Sequence, residues 1–252
     1  MERTNRLLRG YAYAGALVLG TSVAGCAAQG DTCTETAAPN ATASPKPVLF
    51  VLSAASEQRL RNGKTRQTGF FLGEFYEPYR ALRAAGYEVT IATPDGRPPV
   101  VDPESLETDY WEHPDWLSDA RRVLETHPGF AHPISLAQAR RRSDTFDGVI
   151  VPGGQGVMID LVNDADLHAL VTEHGRAGRP VGLVCHAPAI LARLPADDNP
   201  FQGRRVTSVS AAEEFYIERI VMHGKAEDRA ISNTSRRAGT ATIQPSPESL
   251  RR

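Results

Sequence analysis

Cysteine is scarce in this chain of 252 residues, and its scarcity excludes a disulfide framework. The three thiols, Cys26, Cys33 and Cys185, are too few to staple a small secreted domain. Net charge is also small, −2 at pH 7, so no overall field draws in nucleic acid or anionic lipid. Arginine far outnumbers lysine, which reads as compositional bias and not as a binding signal. No internal repeat is visible. The glycine-rich stretch at Pro152–Gly156 is not followed by Gly-Lys-Ser/Thr, which excludes a phosphate loop. The N-terminal apolar run, Tyr11 to Ala24, is too short to span a bilayer comfortably. What remains is the make-up of a soluble globular protein, 41% hydrophobic and 23% charged, long enough for one large domain or two small ones.

The first segment reads as an address. Arg3, Arg6 and Arg9 precede the apolar run, which ends in Val23-Ala24-Gly25-Cys26. Small residues before a cysteine resemble the lipobox of bacterial lipoproteins. The expectation is therefore a signal peptide over 1–25, lipid attachment at Cys26, and a domain exported and lipid-anchored on the periplasmic or extracellular face of a membrane. Cleavage after Ala27 or Ala28, or an uncleaved anchor, would also place the domain outside the cytoplasm. Cys33 follows Asp31 and Thr32, a poor lipobox, and reads as a linker thiol. Residues 26–46, rich in Ala, Thr, Pro, Asn and Asp, read as a flexible tether with nothing to build a core.

The folded part is expected to be α/β, a flavodoxin-like parallel sheet sandwiched by helices. Pro47–Leu52, Tyr87–Ala92, Gly148–Val151 and Pro180–Val184 are short apolar runs of the kind found in strands buried on both faces. A helix is predicted over 73–85, with Phe75, Tyr79, Leu82 and Ala85 at helical spacing and Gly86 as its terminator. Further helices are predicted over roughly 157–162, 165–178 and 186–194. Such alternation argues for a parallel sheet covered on both sides. Residues 100–145, with Trp111, Trp116 and three of the seven histidines, show no strand period and read as a helical cap insertion. They would either shape a substrate pocket or be a structural excursion.

The segment Gly182–Ala187 carries the chemistry. An apolar strand runs into Cys185, and a helix is predicted directly after it. Active sites of open parallel sheets lie outside the carboxyl ends of the strands. The helix dipole and free backbone N–H groups there would favour the thiolate, which is the nucleophilic form. Taken alone, a cysteine after a strand is more often a small buried side chain. Pro152-Gly153-Gly154-Gln155-Gly156 follows another strand on the same sheet edge. Its glycines are either a simple turn or backbone donors for an oxyanion. His113, His127 and His132 each precede a proline and lack tight ligand spacing, so no metal is expected.

Several stretches together resemble one family. They are Thr68–Glu74 with Pro78, Ala85–Val89, Asp102–Ser105, Asp147–Gly154 and Cys185-His186-Ala187-Pro188. In this order they resemble the DJ-1/PfpI superfamily, in its Hsp31-like, glyoxalase III-like branch, over about 47–228. The resemblance implies Cys185 as the elbow nucleophile, His186 as its histidine and Glu74 as the glutamate reaching the sulfur from the first helix. Gly153, Gly154 and the backbone of His186 would form the oxyanion site. Glu214, with Glu213 as fallback, would orient His186, although the two also read as a solvated pair at a helix start. A buried carboxyl beside a thiolate would keep a raised pKa and share a proton with it. No cofactor is implied.

The implied function is a cofactor-independent lyase converting methylglyoxal to lactate, or a related deglycase acting on glycated protein. The alternative is a holdase chaperone or cysteine redox sensor, which needs the thiolate but not His186 or Glu214. A homodimer is expected from the resemblance, and no nucleic-acid partner. After about Asp228 the resemblance stops. Residues 229–252 are polar and nearly strandless, and read as a divergent, disordered tail that leaves the C-terminal part of the domain incomplete.

Overall fold

A computed structural model describes residues 47–60, 63–216 and 241–242. The predicted signal and tether, with Cys26 and Cys33, lie outside the described residues, as does most of the predicted tail. Among the described residues no helix is long and apolar enough to cross a membrane.

The centre is β1 (Val48–Val51), buried along its whole length. Leu49 and Val51 face one side of the sheet, Val48 and Phe50 the other, as the period of two requires. Parallel neighbours flank it: β4 (Val89–Thr93) on one edge and β6 (Gly148–Val151) on the other. Outside β4 lies β5 (Ile134–Ser135), and outside β6 lies β7 (Val181–Leu183), giving the order β5-β4-β1-β6-β7. The chain builds outward from β1 in one direction, then returns to build in the other. The reversal falls between β1 and β6, where the loops leaving the strand ends diverge and open a crevice.

Helices cover both faces, as expected. On one side α1 (Leu72–Ala84), α2 (Pro114–Thr126) and α3 (Pro128–Ala131) bring Phe75, Tyr76, Leu117 and Phe130 onto Val48, Phe50 and Ile91. On the other, α4 (Leu136–Arg141) and α5 (Ala165–Arg176) bring Leu136, Leu167, Leu170 and Val171 onto Leu49, Val51, Val149 and Val151. Gly86 ends α1 as anticipated, at φ 88 with its N–H on the Arg83 carbonyl. Phe75 is fully buried and its ring meets those of Phe50, Phe70, Tyr79 and Phe130. Phe75→Ala is expected to destabilise the fold by about 3–5 kcal/mol, read from the denaturant midpoint, because a cavity opens in a cluster that cannot easily collapse.

Several elements differ from expectation. Ile134–Ser135 adds a fifth sheet strand inside the region that showed no strand period, because two residues are too few to display one. A polar hairpin, β2 (Glu57–Arg59) with β3 (Thr65–Gln67), also went unpredicted. The stretch after Cys185 forms a 3-10 helix, Ala187–Ala192, in place of the longer helix predicted over 186–194. Pro188 lacks an N–H, and the turn tightens to i→i−3 bonds such as Ala189 N–H to the His186 carbonyl. The predicted helix at 157–162 has π geometry over Val157–Leu161. After the site-bearing turn the chain forms a two-residue strand, β8 (Arg205–Val206). It pairs antiparallel with β9 (Ala241–Thr242), so the polar tail contributes a short strand after all. A last helix, α6 (Ala211–Tyr216), follows β8.

Candidate active site

Cys185 stands two residues beyond the end of β7 at φ 56, where it is the only non-glycine residue with positive φ among the described residues. The strand is pinned to β6 through Val184 N–H to the Val151 carbonyl. The elbow is held from behind: the Cys185 carbonyl accepts from Ser208 Oγ at 2.9 Å and from Val209 N–H at 3.3 Å. Two adjacent residues of one segment, 23 and 24 positions downstream, thus clamp a strained turn, and the thiol is presented at the crevice edge.

Glu74 reaches the same point from the first turn of α1. Its Oε2 accepts from Gly153 N–H at 2.7 Å, and its carboxyl hydrogen-bonds the Cys185 side chain. The Gly153 loop is locked to the chain before α1 by Phe71 N–H to the Gly153 carbonyl at 3.2 Å and by Gly156 N–H to the Gly69 carbonyl at 3.1 Å. The approach is too close for side chains. A Cβ on Gly153 would lie 2.5 Å from the Cys185 Cβ and 2.6 Å from Glu74 Oε2, and one on Gly154 (φ +92) would lie 2.5 Å from the Gly69 carbonyl. Gly153→Ala is therefore expected to push Glu74 and Cys185 apart. Turnover should fall by about tenfold or more, measured as kcat/KM beside a circular-dichroism check of folding.

His186 lies under the elbow and is 3% exposed. Its Nδ1 is 3.2 Å from the Cys185 sulfur and its Nε2 is 3.2 Å from the side-chain amide of Gln155. Glu74 and Asp102 both bear on it electrostatically. Glu214 belongs to α6, and its side chain lies outside the described residues. Glu213 is exposed and closes a local cap, accepting from Ser210 N–H.

The electrostatics differ from the sequence reading at the sulfur. Burial pushes the Cys185 thiol up, the Glu74 charge pushes it further, and His186 and the Gly154 N–H only partly offset them. A six-residue 3-10 helix brings little dipole to lower it. Burial also raises the Glu74 carboxyl, from its usual value to about 7, against the Gly153 hydrogen bond and the nearby His186 and Cys185. Near neutrality the Glu74 carboxyl titrates, while the raised Cys185 thiol keeps its proton. Thiolate forms readily only when that proton rests on Glu74.

Among the described residues no group of three or more His, Cys, Asp or Glu converges to hold a metal. His113 packs on Trp116, and His127 on Tyr79 and Phe130. Two residues of the site were not singled out in the sequence. Gln155 lies inside the glycine-rich loop, whose signal is its glycines, and Gln58 sits on the unpredicted hairpin.

Residues 67–241, more than half of the chain, match the model of the DJ-1/PfpI family. The chain belongs to that family. Within the DJ-1/PfpI proteins it falls in the Hsp31-like branch. It is 25% identical over 209 residues to Glyoxalase 3 of Candida albicans, covering 79% of this chain and 83% of that one. It is 30% identical over 180 residues to the protein/nucleic acid deglycase HchA of Escherichia coli O157:H7. That match covers 68% of this chain but only 61% of the deglycase, so this chain spans less than two thirds of that relative. Two crystal structures share the fold. Glyoxalase III of Candida albicans has a TM-score of 0.60 at 21% identity, covering 79% of this chain and 84% of that one. The 24 kDa Rapid Encystment Protein of Francisella tularensis also scores 0.60, at 22% identity, covering 78% and 84%.

Proposed function

We propose that this DJ-1/PfpI protein is a cofactor-independent lyase that converts methylglyoxal and water to lactate, with removal of early glycation adducts as a related activity of the same site. The observation that carries this is the coupled pair: a Glu74 carboxyl with a pKa near 7, hydrogen-bonded to a nucleophile-elbow cysteine that has a histidine 3.2 Å from its sulfur. The names borne by the two curated relatives point the same way.

The steps follow from the positions. Glu74 takes the thiol proton, and the thiolate adds to the aldehyde carbon, forming the C–S bond. The alkoxide so formed receives the Glu74 proton, while the Gly154 N–H beside the sulfur donates to the same oxygen. His186, through the Nδ1 that faces the sulfur, takes the hydrogen of the former aldehyde carbon as a proton and delivers it to the neighbouring carbon. Meanwhile the hydroxyl proton on the former aldehyde carbon returns to Glu74 and passes to the neighbouring oxygen, leaving a carbonyl on the sulfur-bearing carbon and an alcohol beside it. The product is a lactoyl thioester on Cys185. Water cleaves it, releasing lactate and restoring the thiol. Methylglyoxal plus one water equals lactate, so no redox partner enters.

The test is lactate formation from methylglyoxal without glutathione, using purified chain lacking the first 26 residues. Cysteine-dependent turnover supports the reading. Folded protein whose Cys185 is alkylated by iodoacetamide but which makes no lactate sinks it.

A further inference from the structure

The turn that follows the glycine loop is wound more loosely than an α turn. Val162 N–H donates to the Val157 carbonyl at 2.8 Å, five residues back instead of four. The widened turn leaves Ile159 39% exposed, while Met158, Leu161 and Val162 around it are buried. One residue fewer would swing the next side chain by about 100°. That side chain is Asp160, and it is aimed at the loop after β1. Its Oδ1 accepts from Ser53 Oγ at 2.8 Å and its Oδ2 from Ala54 N–H at 2.8 Å, with Ala55 N–H also bearing on it. The loop it grips is fixed elsewhere, by Leu52 N–H to the Ala92 carbonyl at 2.9 Å and by Val100 N–H to the Ser53 carbonyl at 3.1 Å. The approach is close: a Cβ on Gly156 would lie 2.4 Å from Ser53 Oγ. Burial pushes the Asp160 carboxyl up, and its donors only partly offset that cost. Half-burying a charge and exposing an isoleucine both cost stability, and core packing requires neither.

We propose that Asp160 is a positioning residue: it ties the π turn to the loop after β1 and so keeps the Gly154 N–H at the Cys185 sulfur and at the oxygen that forms beside it. The link runs through the backbone. The carbonyls of Gly154, Gln155 and Gly156 accept from Val157, Met158 and Ile159 N–H at 3.3, 3.1 and 2.9 Å, and Asp160 N–H shares the Gly156 carbonyl at 3.2 Å. The glycine loop and the turn are therefore one unit. Phe71 N–H and the Gly69 carbonyl hold that unit from the α1 side, and Asp160 holds it from the β1 side. Gly154, at φ 92, has no Cβ to restrict it, so its N–H is aimed by what its neighbours are tied to. That N–H hydrogen-bonds the Cys185 side chain and works to lower its thiol. Untying Asp160 would withdraw a donor from the sulfur and from the alkoxide together.

The inference rests on Cys185 being the nucleophile, so its test reads sulfur reactivity and does not need lactate formation. The rate of iodoacetamide modification of Cys185 is followed by mass spectrometry against pH. Wild type is compared with Asp160→Ala, Asp160→Asn, Ser53→Ala and, as a control for lost stability, Leu117→Ala in the core beneath α2. Asp160→Ala should move the midpoint of that profile up by about half to one pH unit, which slows modification below it by about three- to tenfold. Asp160→Asn keeps one acceptor oxygen and should move it the same way by less, as should Ser53→Ala. These two carry the test if Asp160→Ala does not fold. Leu117→Ala should lower the melting temperature and leave the midpoint in place. Where lactate is formed, Asp160→Asn should lower kcat by about tenfold with KM within about twofold. A moved profile without lactate formation would sink the lyase reading and support this one. Midpoints unchanged in the Asp160 and Ser53 variants, or moved as far by Leu117→Ala, would reduce Asp160 to a residue that only holds the fold and overturn the proposal.

Discussion

Cys185→Ala is expected to lower lactate formation from methylglyoxal by about a thousandfold or more, to the background of the uncatalysed reaction. Removing a nucleophile abolishes the covalent path instead of weakening it, so the loss resembles that of the whole catalytic group. The fold should survive. Alanine has a Cβ like cysteine, so the positive-φ elbow keeps the same strain, and the two hydrogen bonds clamping it are made by the backbone carbonyl of residue 185. The melting temperature should therefore stay within a few degrees of wild type. Turnover persisting in the alanine variant would remove the thiolate from the mechanism.

Glu74→Gln should act on the two readouts with opposite signs. Glutamine keeps an oxygen for Gly153 N–H but neither repels the thiolate nor accepts its proton. Because the Glu74 charge helps push the Cys185 thiol up, its removal should bring the thiol down and speed alkylation at neutral pH. Turnover should nevertheless fall by about a hundredfold, because the proton that must leave the thiol and return to the substrate oxygen has lost its carrier. A purely structural Glu74 would move both readouts in one direction.

The same side chain makes a stability prediction. Its folded pKa of about 7 lies above the ordinary carboxylate value, so the folded state holds the proton more tightly than the unfolded chain. Its contribution is fully present below about pH 4.5 and is lost as pH rises through about 7, by at most about 3 kcal/mol. Wild type should lose stability across that window in urea titrations, and Glu74→Gln should flatten the slope.

Much of this was legible in the residues, for identifiable reasons. β1, β4, β6 and β7 are short apolar runs because parallel strands are buried on both faces, and α1 announced itself by its apolar spacing and Gly86. Cys185 was readable from a strand running straight into it. Glu74 was not readable from spacing, since a glutamate in a first helical turn is ordinarily solvated, and only the motif resemblance placed it at the sulfur. β5 was hidden by having two residues. The β2–β3 hairpin was hidden by polarity: Glu57-Gln58-Arg59 carries no apolar alternation, because what it buries is an amide. The thiol's environment was misread because Pro188 turns the expected helix into a tight 3-10 turn. A charged carboxyl beside the sulfur, invisible in one dimension, then outweighs the backbone donors.

The elbow at φ 56 has one more consequence. Backbone conformation there suits glycine, whose lack of a Cβ removes the strain, yet glycine has no sulfur. No amino acid satisfies both demands, so selection for a sturdier fold and selection for a reactive thiol pull on position 185 in opposite directions. Drift toward stability at this one site would erase the chemistry while leaving the architecture intact. A descendant of this chain that has lost its activity would be recognised by a relaxed turn in an unchanged sheet.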